Sequence, residues 1–376
     1  MNEKNKEIRD LAYVRIAENV DKGYQTAPKA DGELSKAFIA YLKIVYTPEA
    51  AELVQHLSMP PFLKTAGEVA AAAGQDVEIV ESILEPLEKK GFISLSSRGG
   101  YCLPAIPNLV NLHMFYTDIK PEDLEAAELY QQFFIKEKFY KYYGTSEKGT
   151  PVLRAIPVEK ALYPEEKIFS AEEAHEYIEN LQTEDLALVP CPCRTRTEKL
   201  SIRECQDRFP IGTCIFIGST ARRFMDIGLG KRVTKGQAIS YLDEMVELGL
   251  IATAENFIAD PHSVICLCCG CCCSNVRGRT RWDNPTAVLP SSFVPRASEE
   301  CILCGTCVDR CFFGALSLNE DKGRSVVDPE KCIGCGVCTI TCPTEALKLH
   351  RIDRPSAPFE TGRDLVLTVA RDNKRL

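Results

Sequence analysis

Eight cysteines carry the clearest chemistry in this chain. Cys301, Cys304, Cys307 and Cys311 are repeated 31 residues on by Cys332, Cys335, Cys338 and Cys342. Each run reads C-x2-C-x2-C-x3-C. That spacing lets a tight loop aim three thiolates at one face of an iron–sulfur cube and leaves the fourth to reach away. Zinc ribbons use two separated pairs rather than two such quartets, and a disulfide framework has no need of the repeat. The implied chemistry is one-electron transfer through two 4Fe-4S clusters. Gly305, Gly334 and Gly336 give the runs the backbone freedom to turn N–H groups toward sulfur.

Ten further cysteines lie upstream in two groups. The first is Cys191, Cys193, Cys205 and Cys214; the second is Cys266, Cys268, Cys269, Cys271, Cys272 and Cys273. Their spacing fits no ferredoxin-type run. Neighbouring cysteines in a strand alternate sides, so a loop must sort the second group. Ten thiols suffice for one or two more iron–sulfur clusters. Zinc, a reactive dithiol and structural free cysteines are the competing readings. His262 stands four residues before Cys266; a surface loop position is expected for it rather than a ligand's. Nine basic residues between Arg194 and Arg232, with Arg277, Arg279 and Arg281 beyond, suggest a basic belt that would stabilise thiolates and anionic clusters, or else a solvated basic face.

Composition restricts the remaining classes. The 376 residues are 45% apolar and 26% charged, enough for two or three domains with cores of their own. Eighteen of the 19 cysteines lie from Cys191 onward, which points to metal or redox chemistry in a reducing compartment. The first twenty residues are charged throughout and offer no apolar signal core, and no long apolar run suggests a membrane span. A cytoplasmic protein of an anaerobe is expected. A net charge of −8 argues against nucleic acid as a general partner.

The elements that must position these cysteines divide an expected α+β chain into four parts. Residues 1–150 read as a mostly helical domain. Thr65-Ala-Gly-Glu68 is a capping box, Gly74 a stop, and Val77, Val80, Leu84 and Leu87 mark a second helix. Residues 91–103 read as strand, turn, strand, so the order is that of a winged helix. Pro121-Glu-Asp opens a helix followed by many aromatic residues, read as a packed core or a dimer face, which leaves a homodimer open. Residues 151–290 form a cysteine-rich, metal- or cluster-binding middle domain. Thr234-Lys-Gly-Gln237 is another capping box, and the helix it opens can be read as part of a second winged-helix-like unit. Residues 291–352 are the two-cluster module, entered through the Pro/Ser-rich linker NPTAVLPSSFVPR. Residues 353–376 are a polar tail whose patch Leu365-Val-Leu-Thr-Val suits an edge strand.

On the strength of its two quartets, the C-terminal segment resembles the bacterial two-cluster ferredoxins. The resemblance implies crossed ligation: Cys301, Cys304, Cys307 and Cys342 on one 4Fe-4S cluster; Cys332, Cys335, Cys338 and Cys311 on the other. One departure is Phe312, where that family usually has proline after the fourth cysteine; Pro343 keeps the pattern in the second run. An altered turn is expected there, not a lost ligand. The whole layout, with IPVEKA at 156–161, a CxCR stretch and CCGCCC, resembles 4Fe-4S dicluster-domain proteins of anaerobic bacteria and archaea. That likeness implies architecture more than reaction.

No nucleotide loop or nucleophile motif stands out. Gly228-Leu-Gly-Lys-Arg lacks the upstream glycine and the hydroxyl residue of a phosphate loop, and no G-x-G-x-x-G follows a strand. The chain reads as an electron-transfer protein or subunit of an oxidoreductase more than a stand-alone enzyme. Its partners would be a ferredoxin, a flavoprotein or an oxidoreductase subunit. Two alternatives are a self-sufficient reductase with an open middle cluster, and a redox-sensing winged-helix regulator. The helix that would read DNA opposes the latter: Glu78, Glu81, Glu85 and Glu88 outnumber Lys89 and Lys90, the wrong sign for phosphate.

Overall fold

Left-handed glycines end the two helices that lie between residues 66 and 90. In the computed structural model, which describes residues 3–96, 99–162, 173–354 and 356–376, Thr65 and Glu68 form the reciprocal capping box of Ala66–Ala73, and Gly74 closes that helix in the left-handed region. Val77–Lys90 is the next helix and ends at Gly91, again left-handed. Ser94–Leu95 then pairs antiparallel with Tyr101–Cys102, and Tyr101 also pairs with Lys64 ahead of the two helices. The tip of this turn, at 97 and 98, lies outside the described residues.

The chain forms two compact units: Met1–Lys148 with Thr195–Ile202 and Leu367–Leu376, and Gly149–Arg194 with Arg203–Val366. The first is mostly helical. Its core is aromatic, with Phe38, Tyr41, Tyr130, Phe133, Phe134 and Phe139 all buried and in mutual ring contact. The aromatics after Pro121 are therefore mainly core, as their bulk favours.

The second unit is built on a six-stranded antiparallel sheet. Its order is Leu153–Ala155, Ile251–Glu255, Val264–Cys268, Thr213–Ile217, Leu186–Pro190, Lys231–Arg232. Lys235–Leu248, capped by the Thr234/Gln237 box, buries Ala238, Leu242, Met245 and Val246 in the same core as the sheet. The helix Gly218–Asp226, the strand Lys231–Arg232, the helix Lys235–Leu248 and the antiparallel pair Ile251–Glu255 and Val264–Cys268 follow one another here, with the pair inside the sheet. Helices and antiparallel strands in separate blocks make the fold α+β.

The C-terminal module packs into this unit. Phe293–Ala297 pairs antiparallel with Leu347–Arg351, and Leu316–Asn319 with Arg324–Val327. The expected linker thus ends in a strand: alternate Phe293 and Pro295 belong to a paired ladder, and turn-rich composition concealed it. Arg310 donates to Val337 O (2.7 Å) and to Val246 O and Glu247 O (3.2 and 2.8 Å), placing a cation on the last carbonyls of Lys235–Leu248. The tail forms the helix Gly362–Asp372, not an edge strand. Thr361 Oγ1 accepts from Asp364 N–H (3.1 Å), and Leu365, Val369 and Ala370 bury one helical face, so local capping overrides the β-branched composition.

Candidate metal centres

The two C-terminal runs interleave in space. One pocket is lined by Cys301, Cys304, Cys307 and Cys342. A second is lined by Cys311, Cys332, Cys335 and Cys338. Each therefore has three cysteines of one run and the fourth of the other. Backbone N–H groups point at sulfur: Gly334 N to Cys332 Sγ and Ala315 N to Cys311 Sγ, both 3.4 Å. Such donors stabilise anionic thiolates and clusters. Gly334 has φ +67°, and any side chain there would strike Ser291 and the Phe293 carbonyl. The donor set, the cavities and the N–H groups all fit a thiolate-bound cluster in each cavity. The two differ in depth: Cys304 is exposed, whereas Cys332 and Cys338 are buried.

The ten middle cysteines separate into two sets, sorted by local geometry. Leu186–Pro190 runs into Cys191 and the helix Pro192–Lys199, which carries Cys193. Cys214 lies on Thr213–Ile217; Cys266 and Cys268 lie two apart on Val264–Cys268 and so share a face. Cys273 returns from the next turn to within 3.3 Å of Cys268. Sulfur contacts link Cys191 to Cys193 and Cys214, Cys214 to Cys266, Cys266 to Cys268, and Cys273 to Cys193. These six make a closed ring.

The other four gather separately. Cys205 Sγ lies 4.0 Å from Cys269 and 3.7 Å from Cys272; Cys271 lies 3.6 Å from both Cys269 and Cys272. The Cys205 loop is tied to this turn by a fork: Arg281 donates to both carboxylate oxygens of Glu204 at 2.8 and 2.5 Å. Thr280 Oγ1 donates to Gly270 O at 2.7 Å and fixes the turn from below.

Arg194 serves both sets. It is fully buried and donates to Ile211 O (2.5 Å) and Leu267 O (2.7 Å). Burial works against its charge, but Cys191, Cys269, Cys214 and Cys268 more than compensate and raise its pKa. In the quartet, hydrogen bonds from Cys205, Cys271 and Cys272 lower the Cys269 thiol. In the ring, Cys214 is likewise lowered by contacts from Cys191 and Cys266. Contacts from Cys266 and Cys273 bring Cys268 down to about 6.

The expected basic belt is not one surface. Arg194 lies with the cysteines, but in the first unit Arg196 is buried over the Tyr130 ring (4.1 Å), and Lys199 pairs with Asp123 at 3.3 Å. Arg222 and Arg232 hold Asp185 in the second unit. Nor is His262 a surface residue. It is buried between Tyr177 and Phe257, with Nδ1 3.4 Å from Glu255 and Nε2 3.4 Å from Arg154. It braces the hairpin that delivers Cys266 rather than joining the cysteines.

Phe312 has a role that spacing did not assign. Its ring packs on Gly270, between quartet cysteines Cys269 and Cys271, while its backbone neighbour Cys311 lines the inner C-terminal cavity. Arg208 lies over the same ring at 5.1 Å. The only hint in the sequence was the missing proline.

Among the described residues, no helix is long and apolar enough to cross a membrane. Neither a curated protein nor a solved structure matches the chain. Residues 300–346 match the family described as a 4Fe-4S dicluster domain. The C-terminal segment thus matches a 4Fe-4S dicluster domain, which is consistent with a ferredoxin-like module and implies iron–sulfur cluster binding there.

Proposed function

We propose that the chain passes single electrons through two 4Fe-4S clusters in its C-terminal module, between a redox-partner protein and metal centres in its middle part. The observation that carries this reading is the crossed lining of the two cavities, three cysteines from one run and one from the other in each. It supports ligation by Cys301, Cys304, Cys307 and Cys342, and by Cys311, Cys332, Cys335 and Cys338. When bound, such clusters supply reversible one-electron storage.

The protein's own residues give the path a direction. Exposed Cys304 stands beside the exposed side chains of Ile302 and Leu318, a place for a ferredoxin, flavoprotein or oxidoreductase subunit to dock. Behind it lies the buried cavity of Cys332 and Cys338. Beyond that, Cys311 and Phe312 lead to Gly270 and the middle cysteines. The helix pair and hairpin of residues 64–102 would serve as a winged-helix-like docking element for protein. The exposed acids of Val77–Lys90 are unsuited to DNA, while exposed Val77 and Ile79 suit a protein surface.

Anaerobic purification with iron, sulfide and zinc analysis and EPR of the reduced form tests the reading. At least about eight irons and eight sulfides per chain, with a dicluster signal, are expected. Absence of iron after reconstitution would overturn it. Reoxidation of the reduced chain by a small substrate with no partner present would replace it with a self-sufficient reductase.

A further inference from the structure

We infer that the ten middle cysteines build two separate centres of different kinds. Cys205, Cys269, Cys271 and Cys272 bind one tetrahedral, thiolate-preferring metal ion, zinc(II) or iron; Cys191, Cys193, Cys214, Cys266, Cys268 and Cys273 bind a polynuclear iron–sulfur centre. The second half deepens the iron–sulfur reading and rests on it. The first half stands without it.

Mutual compactness marks out the quartet. Four thiolates around one ion at about 2.3 Å form a tetrahedron with edges of about 3.8 Å. Four of the quartet's six sulfur–sulfur separations, 3.6, 3.6, 3.7 and 4.0 Å, bracket that edge. Thiolates on a cube bind its outer corners and stand wider. Among the described residues, this quartet is the group whose four sulfurs all lie within 4.8 Å of one another; neither C-terminal set meets that limit. The Arg281–Glu204 fork and the Thr280 bond to Gly270 hold both halves of the quartet, as a prepared ion site requires.

Number argues for the other half. A single tetrahedral ion takes four thiolates, yet six sulfurs close the ring, three of them on the central strands of the sheet. Several metals are needed to use them. Thr253 Oγ1 lies 3.5 Å from Cys268 Sγ, Ser274 Oγ 3.6 Å from Cys193 Sγ, and Val276 N 3.5 Å from Cys273 Sγ. Such hydrogen-bond donors around sulfur tune a cluster. Arg194 lies beside both sets and offsets their negative charge. Metal entry releases the remaining thiol protons to solvent.

The test compares the anaerobic full-length chain with Cys271→Ala and Cys193→Ala, chosen because both side chains are only partly buried. Iron, zinc and acid-labile sulfide are counted, and the dicluster EPR signal reports folding. Sulfide in the unaltered chain should exceed the eight or so of the C-terminal module. Cys271→Ala should lose about one metal ion and no sulfide. Cys193→Ala should lose iron and sulfide together and keep the quartet's ion. Sulfide loss in Cys271→Ala would make the quartet a cluster site and overturn the first half. Sulfide unchanged by Cys193→Ala would overturn the second. If either variant loses the dicluster signal, X-ray absorption of the unaltered chain decides. Four sulfurs at about 2.3 Å with no metal neighbour support the single ion; a close metal neighbour for every metal in the chain refutes it. An iron-free C-terminal module would sink the electron-transfer reading yet leave the quartet's ion in place.

Discussion

The Phe312 ring fills the space in front of Gly270, so closely that a Cβ on residue 270 would stand 2.7 Å from Cδ1 of that ring. Gly270→Ala should therefore push the aromatic side chain off the quartet turn. Overpacking of this kind costs about 1–3 kcal/mol. Thermal unfolding of the anaerobic protein should show the loss, and Phe312→Ala in the same chain should restore part of it. Additive losses would mean that the two residues are not in contact.

Phe312→Ala by itself should leave iron and sulfide unchanged. It should slow electron exchange between the C-terminal clusters and the middle part, because the packed bridge between Cys311 and Gly270 is opened. Freeze-quench EPR after rapid reduction would follow it. Equal rates in both proteins would exclude this route.

Arg194→Met removes donors from Ile211 O and Leu267 O and a buried countercharge from both cysteine sets. A loss of roughly 3–5 kcal/mol is expected, with impaired metal retention in the middle part. Arg194→Lys should recover only part of it, since an ammonium cannot reproduce the fork. Metal content after gel filtration, with denaturant unfolding, checks both.

Arg281→Met should weaken the quartet alone. The Glu204 fork is exposed, so little global stability depends on it, but it orients the loop of Cys205. A fall in metal affinity of about tenfold is expected, read by competition with a chromophoric chelator. The six-cysteine ring should be unaffected.

Glu255 gives a pH signature. Burial raises its pKa, but the His262 hydrogen bond and charge, with Ser263, outweigh that and leave it below the ordinary 4.5. A lowered carboxylate pKa contributes stability that is complete above 4.5 and lost as pH falls through the folded value. The stability gap between the unaltered chain and Glu255→Gln should narrow as pH falls below 4.5. A gap that widens in acid would contradict the sign.

The features legible in the sequence obey local rules. The Thr65/Glu68 and Thr234/Gln237 boxes and the glycine stops each act within a few residues, and the structure contains them where spacing put them. The misreadings needed distant partners. Phe293–Ala297 is a strand only because Leu347–Arg351 lies beside it. His262 is buried because Tyr177 and Phe257, remote or across a turn, close over it. The division of CCGCCC depends on Cys205 meeting Cys269 and Cys272 and on Cys193 meeting Cys273, and no spacing within the run encodes that.

Cys304 is the one exposed cysteine of the nineteen. Oxidants meet accessible sulfur and iron first, so air should dismantle this protein in sequence, from the outer cavity inward. A briefly aerated molecule would then be deaf rather than dead: its inner metal centres remain, but the contact through which a partner addresses them is gone.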